Sequence, residues 1–361
     1  YNWLFSPHFF DPRSLTLSLL LLTGMSSRNL ENWVPLPPAI NPLTAVRRTT
    51  TTVCSNAQHV ALNQAAIEQL AKMWATDGGG GGASVGWEET GWHYSEDAAV
   101  GGNLTCTYVF VLDCLNFCFW PTPGLEYEHL AFGLKATVQR DPLALSADRL
   151  AVATEDTIRG WFSGFEIPQI SERAAKLREL GCVLQAHFGG EAALLVARAA
   201  RSAARLVRLL TCLLPGFRDE TLHQGRQCFF YKRAQILAAD LWAAYGRPPP
   251  GSGSLYAFED IGELTMFADY RVPQVLAHLG VLEYSQALET KIDGLERLQP
   301  GSEEEVEIRA MCVQAVEGLR AALARRNVVV TSVEIDWRLW HEGERIKKDI
   351  QPHHRTLTCF Y

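Results

Sequence analysis

No CxxC pair occurs in the chain, although it carries nine cysteines, at positions 54, 106, 114, 118, 182, 212, 228, 312 and 359. The count is odd, and many of these residues sit in apolar helical surroundings. That excludes a disulfide scaffold and reads as a reduced intracellular protein. Cys114 and Cys118 have the one-turn spacing that two zinc ligands use. No second pair with histidine spacing stands near them, so core packing is the reading and no metal is expected. Long apolar runs are also missing. The longest near the start, residues 15–22, includes Thr16 and Ser18 and is too short to cross a bilayer. Positive charge is in deficit: Lys+Arg total 33 against 40 Asp+Glu, for a net charge of -7. A bulk nucleic-acid binder usually carries a basic face, so stable nucleic-acid binding is not expected. There is no βαβ rhythm, no heptad and no dinucleotide fingerprint. The glycine run at 78–82 lacks the Lys-Ser/Thr of a phosphate loop and reads as a surface insertion.

What is present suits a large core. The chain has 361 residues, 47% of them hydrophobic. Residues 1–52 are rich in Pro, Ser and Thr and read as a poorly ordered arm, or as a transit or upstream segment, with Met25 a candidate start. Residues 53–361 read as one two-lobed helical domain. Helices are expected over residues 57–74, from Ser146 through Phe162, and from Ser171 to a stop at Gly181. Further helices are expected over residues 191–214, 229–245 and 302–326, the last opened by a capping-box match at Ser302–Glu305. Arg198, Arg201, Arg205 and Arg208 would form a stripe on the solvated face of one of these helices. Residues 328–330 read as a short strand.

Residues 256–284 (YAFEDIGELTMFADYRVPQVLAHLGVLEY) organise the rest. Leu264, Phe267 and Tyr270 form a partial helical stripe. Pro273 then biases Val272 away from the helical region and suits the first turn of a new helix, which would stop at Gly280. Asp269 therefore falls at a helix junction in apolar surroundings. An acid there must be hydrogen-bonded, paired or used. It either caps the helix or pairs with Arg271, or it does chemistry. Asp113 and Asn116, three apart, would share a helix face and serve as a local network or as a base-recognition pair.

The run at 267–274 (FADYRVPQ) resembles the signature of the queuosine salvage family, whose members release the base queuine from queuosine 5'-phosphate. Residues 111–120 (VLDCLNFCFW), 231–236 (YKRAQI), 239–242 (ADLW), 332–340 (SVEIDWRLW) and 353–356 (HHRT) agree with that family in the same order. The resemblance implies a mainly helical fold similar to that of DNA-repair glycosylases, with few short strands. It also implies a cofactor-free, metal-independent nucleotide N-glycosylase in the cytoplasm; organellar targeting is the second reading. It maps the catalytic carboxylate to Asp269, which would stabilise charge on the ribose and activate water.

Lys232 would contact phosphate or sugar, or pair with Asp269. Asp113 and Asn116 would read the edge of a deazaguanine-type base, with Phe117 or Phe119 stacked on it. His93 would lie near the cavity, and Tyr270 would follow the catalytic acid. Asp336 would bind the substrate amine or buttress Trp337 and Trp340. His353, His354 and Arg355 suit a phosphate by charge and hydrogen bonding. The departure at residues 357–359 weakens that tail assignment more than it weakens Asp269. Competing readings are a broader nucleoside or DNA N-glycosylase and a non-catalytic queuine-nucleotide binding protein.

Overall fold

A computed structural model describes residues 36–76, 87, 90–96, 103–162 and 164–361. Most of the expected arm and the glycine insertion at 78–82 lie outside the described residues. Among the described residues fourteen α-helices dominate, with six strands of two to four residues. The protein is mainly α.

Helix Glu303–Ala324 is one centre of the fold. It packs along helices Pro42–Asn56 and Gln64–Thr76 and touches both Arg271–His278 and Ser332–Ile346. Its start is capped as expected, with the Glu305 amide donating to Ser302 Oγ. Helix Asn103–Leu115 is the second centre. It is apolar around nearly its whole circumference and is buried among Tyr127–Arg140, Ile170–Phe188, Ala192–Arg198 and Lys232–Ala244. The strands pair locally. Val60–Leu62 runs antiparallel to Leu282–Tyr284, Glu220–His223 forms a hairpin with Arg226–Phe229, and Arg297–Leu298 lies parallel to Arg355–Thr356.

Several expectations are corrected. The threonine run at 49–52 is helical, not part of a loose arm. Helix Pro42–Asn56 starts on an Asn41 cap with proline in its first turn. The hydroxyls of Thr49, Thr50, Thr51 and Thr52 each donate to the carbonyl four residues back, which satisfies them within the helix. Gly181 does not stop a helix. Helix Ile170–Phe188 runs through it, and a Cβ there would meet Ala151 N at 2.2 Å and Ala147 O at 2.6 Å. This glycine admits a neighbouring helix.

The 146–162 stretch divides into helices Ala147–Ala151 and Glu155–Trp161 at a Thr154 capping box. The 191–214 stretch also divides, at Ala200 and Arg201, which take left-handed φ of 48° and 58°. The Asp260 carboxylate accepts from the Ala203 and Ala204 amides and from Ser202 Oγ, fixing the second helix start. The arginine stripe is thereby broken. Arg205 donates to the Ala200 carbonyl and Arg208 to the Leu36 and Ile40 carbonyls. Residues 328–330 are extended but pair with nothing as a strand.

Among the described residues, no single helix is long and apolar enough to cross a membrane. The bent pair Ile170–Phe188 and Ala192–Arg198 meets the test only jointly, across a 65° break. No cluster of His, Cys, Asp or Glu among the described residues is arranged to hold a metal ion. Cys114 is buried and its thiol donates to the Lys176 carbonyl, while Cys118 lies beyond the helix end at Leu115, so the one-turn spacing is not formed.

Candidate active site

A pocket opens between four segments: the loop at 116–119, helix Lys232–Ala244, the loop at 267–270 and helix Ser332–Ile346. Residues around Trp92 and Tyr127 complete it. Its inner space is about 130 Å³, and about 1050 Å³ with the open mouth included.

Each segment is held by buried hydrogen bonds. The Arg173 guanidinium, with no solvent exposure, donates to the carbonyls of Leu115, Phe117 and Cys118 and so shapes the 116–119 loop. The segment at 264–270 is not a helix, so Leu264, Phe267 and Tyr270 share no helical stripe. The Phe267 amide donates to Asp336 Oδ1 at 2.9 Å, and the Ala268 carbonyl accepts from Arg309 Nε at 3.0 Å. Asp269 follows directly, and the helix after it begins at Arg271, two residues before Pro273. Asp269 Oδ1 accepts from the Arg271 amide at 2.9 Å and from the Val272 amide at 3.0 Å. The carboxylate thus caps a helix N-terminus, where the free amides and the dipole favour negative charge. Its other oxygen has no hydrogen-bond partner among the described residues. Helix Arg271–His278 also lies close to helix Ser332–Ile346, because a Cβ at Gly343 would meet Val275 Cγ2 at 2.7 Å. That approach brings Asp269 and Asp336 to the same pocket.

Lys232 is the first residue of its helix. Its amide donates to Asp219 Oδ2 at 3.1 Å and its Nζ to the Asn116 carbonyl at 3.3 Å. Burial depresses the Lys232 pKa, opposed most strongly by Asp269. Burial raises that of Asp269, opposed by Lys232 and by the two backbone amides. Burial also lifts Asp336 and Asp240 well above the usual carboxylate range, helped by Asp269 at the first and Asp113 at the second. Asp113 is pushed up to about 7 by burial. Burial thus favours the neutral form of each of these acids more than water does.

Of the charged and polar residues expected at the site, Asp269, Lys232, Asp336 and Asn116 line the pocket; so do the rings of His93, Phe117, Tyr270 and Trp337. Asp113 does not. It lies behind the wall, fully buried, where Oδ1 accepts from Asn116 Nδ2 at 3.3 Å. The pair is bonded together across the helix end and not side by side on one face. Phe117 has the Arg173 guanidinium 4.2 Å from its ring centroid and that of Arg233 at 5.1 Å, which leaves less ring face for a ligand.

His93 is pushed down to about 4 by burial and stacks on Trp87 at 3.9 Å. Its Nδ1 lies 3.1 Å from the Trp87 carbonyl, which can only accept. Nδ1 therefore carries the proton, and Nε2 accepts from the Tyr127 hydroxyl at 2.9 Å.

The tail residues are not among those that line the pocket. His353 packs on Tyr270 at 4.5 Å, His354 is buried against the Tyr361 hydroxyl, and Arg355 stands over Trp120. Burial pushes His353 down to about 4 and His354 to about 3, so both are neutral near pH 7. The tail reaches the pocket instead through the Tyr361 ring.

Asp240, Tyr127 and Trp340 line the pocket and were not singled out as ligand-facing from sequence. Asp240 had a signal: Lys232, Ile236 and Asp240 recur every four residues, with Ala243 and Arg247 continuing the face.

The fold and site define a helical protein that can seat a planar ligand among aromatic rings beside a helix-capping carboxylate with a buried lysine charge nearby. The family model for queuosine salvage proteins matches residues 93–361. A queuosine 5'-phosphate N-glycosylase/hydrolase from Dictyostelium discoideum is 42% identical over 327 residues, covering 89% of this chain and 100% of the relative. Proteins of the same name from Sphaerobacter thermophilus (40% over 327 residues; 88% and 97% covered) and Mus musculus (30% over 355 residues; 89% and 100% covered) are also similar. The chain belongs to the queuosine salvage protein family.

Proposed function

We propose that this enzyme hydrolyses the N-glycosidic bond of queuosine 5'-phosphate and releases queuine for reuse in transfer RNA modification. The observation that carries this reading is Asp269. One of its oxygens is fixed by two backbone amides and the other has no hydrogen-bond partner among the described residues, in an aromatic pocket beside a buried lysine.

In the reaction the C1'–N bond breaks and its electron pair leaves with the base, while positive charge builds on the ribose. The Asp269 carboxylate stabilises that charge and takes a proton from the water that attacks C1'. The water oxygen becomes the new ribose hydroxyl, and the base nitrogen gains a proton. The nearby Lys232 charge works against the burial that raises Asp269 and so favours its ionised form. Asn116 and Asp336 face the ligand from the neighbouring segments, and Tyr270 and Trp337 supply ring surface. All nine cysteines are free thiols, which fits a reducing compartment, and the cytoplasm is the location carried forward.

The test is release of free queuine from queuosine 5'-monophosphate by the purified chain, with a chelator present and unphosphorylated queuosine as a second substrate. Release from the monophosphate supports the reading. A folded protein that releases queuine from neither compound contradicts it, and base binding without turnover would point to a binding protein.

A further inference from the structure

Three rings that line the pocket face one another at steep angles. Trp92 and Tyr127 have centroids 6.4 Å apart at 65°, Trp92 and Trp340 lie 6.4 Å apart at 76°, and Tyr127 and Trp340 lie 6.0 Å apart at 82°. Rings set this way make a corner of π faces and edges, and π faces attract cations.

Asp240 lines the same pocket and is 6% exposed. Its carboxylate has no side-chain hydrogen-bond partner among the described residues, and it is the charge that acts most strongly on the Tyr127 hydroxyl. The other acids lining the pocket are engaged. Glu126 and Glu344 share Arg271 and Lys347. Asp336 accepts the Phe267 amide, and Asp269 has Lys232 and two backbone amides.

We propose that Asp240 and the ring corner of Trp92, Tyr127 and Trp340 form a subsite for a cationic amine on the ligand. The inference rests on the function proposed above and deepens it. Queuine is a 7-deazaguanine whose side chain carries a secondary amine, protonated near neutral pH. Burial and the neighbouring Asp113 favour the protonated form of Asp240, and a cationic amine at the ring corner would draw it into an ion pair. A neutral guanine-type edge offers hydrogen bonds but no counter-charge. The subsite therefore makes the pocket selective for bases with a charged side chain, and it moves the amine-binding role from Asp336, whose Oδ1 is occupied, to Asp240.

The experiment compares calorimetric affinities of two free bases for the whole chain. One is 7-aminomethyl-7-deazaguanine, which is cationic; the other is 7-cyano-7-deazaguanine, which is neutral. The wild-type protein should bind the cationic base at least about tenfold more tightly. Asp240→Asn should remove that preference while leaving affinity for the neutral base nearly unchanged. Equal wild-type affinities would overturn the proposal, and this arm needs no variant to fold. An equal loss for both bases in Asp240→Asn would also overturn it, by making Asp240 a reader of the guanine-type edge. Continued hydrolysis of queuosine 5'-monophosphate alongside equal affinities removes only the subsite. Loss of hydrolysis together with binding of neither base removes the proposed function as well.

Discussion

Two groups of buried charge meet at residues 232 and 268. In the first, the Arg309 guanidinium grips both Asp219 oxygens, donates its Nε to the Ala268 carbonyl, and lies between the Phe230 and Tyr361 rings at 4.0 and 4.3 Å. Asp219 also accepts the Lys232 amide, and Glu305 takes the Gly301 amide and the Tyr361 hydroxyl. Burial works against the Arg309 charge, but Asp219 and Glu305 more than offset it and hold its pKa above the usual value. In the second group, Asp269, Asp336, Asp240 and Asp113 surround Lys232, and burial raises every one of the acids. The residue types are alike, but the first group is saturated with partners and the second is not. Saturated charge stiffens a core. Charge left short of partners is available to a ligand, and the difference teaches where to look for chemistry in a buried polar interior.

The largest expected effect comes from breaking the second group. Asp269→Asn keeps the cap geometry, because the amide oxygen still accepts from Arg271 and Val272, but loses the charge. Turnover should fall by about 10³-fold while thermal stability changes little, as paired kinetics and melting curves would show. Breaking the first group should do the reverse. Asp219→Ala leaves Arg309 buried without its main partner and should cost ~3–5 kcal/mol of stability, read from denaturant unfolding.

The pH dependence sharpens the contrast. Asp269 must be ionised to act, and its pKa is raised, so the acid limb of kcat/KM should lie above the ordinary carboxylate range near 3.8. Asp113 binds its proton more tightly folded than unfolded. Its contribution to stability is therefore fully present below the unfolded value of about 4 and is lost as pH rises to about 7. Asp113→Asn should flatten the fall in unfolding free energy across that window, by up to about 4 kcal/mol, as denaturant unfolding at either end of it would show. The smallest effect is expected at the tail. Arg355→Ala loses a cation over Trp120, should cost ~0.5–1 kcal/mol of stability, and should leave KM for the nucleotide where it was.

Much of the site was legible because local rules act within a few residues. Gly280 marked the end of the helix behind Asp269, although that helix starts at Arg271, two residues ahead of Pro273; an acid in an apolar run had to be satisfied or used, and two backbone amides satisfy one of its oxygens. The misreadings came from patterns that several structures share. Leu264, Phe267 and Tyr270 are spaced by three in an irregular segment and imitate a helix. Gly181 resembles a stop, yet it is a contact point whose neighbours at 147–151 no local window includes. The threonine run at 49–52 looks like loop composition until its hydroxyls are bonded to their own helix. The tail histidines carried a plausible charge that burial removes. Asp240 was readable in the four-residue rhythm from Lys232, but which face of that helix meets the pocket depends on the Ser332–Ile346 helix, a hundred residues away in the chain.

The most direct test of the central claim is a parallel assay of wild type and Asp269→Asn on queuosine 5'-monophosphate, with binding of free queuine measured on the same samples. The account predicts queuine release by wild type, loss of release by the variant, and queuine affinity that is nearly the same in both. Turnover by a folded Asp269→Asn protein at close to the wild-type rate would contradict it, because the unsaturated carboxylate would then be one more cap.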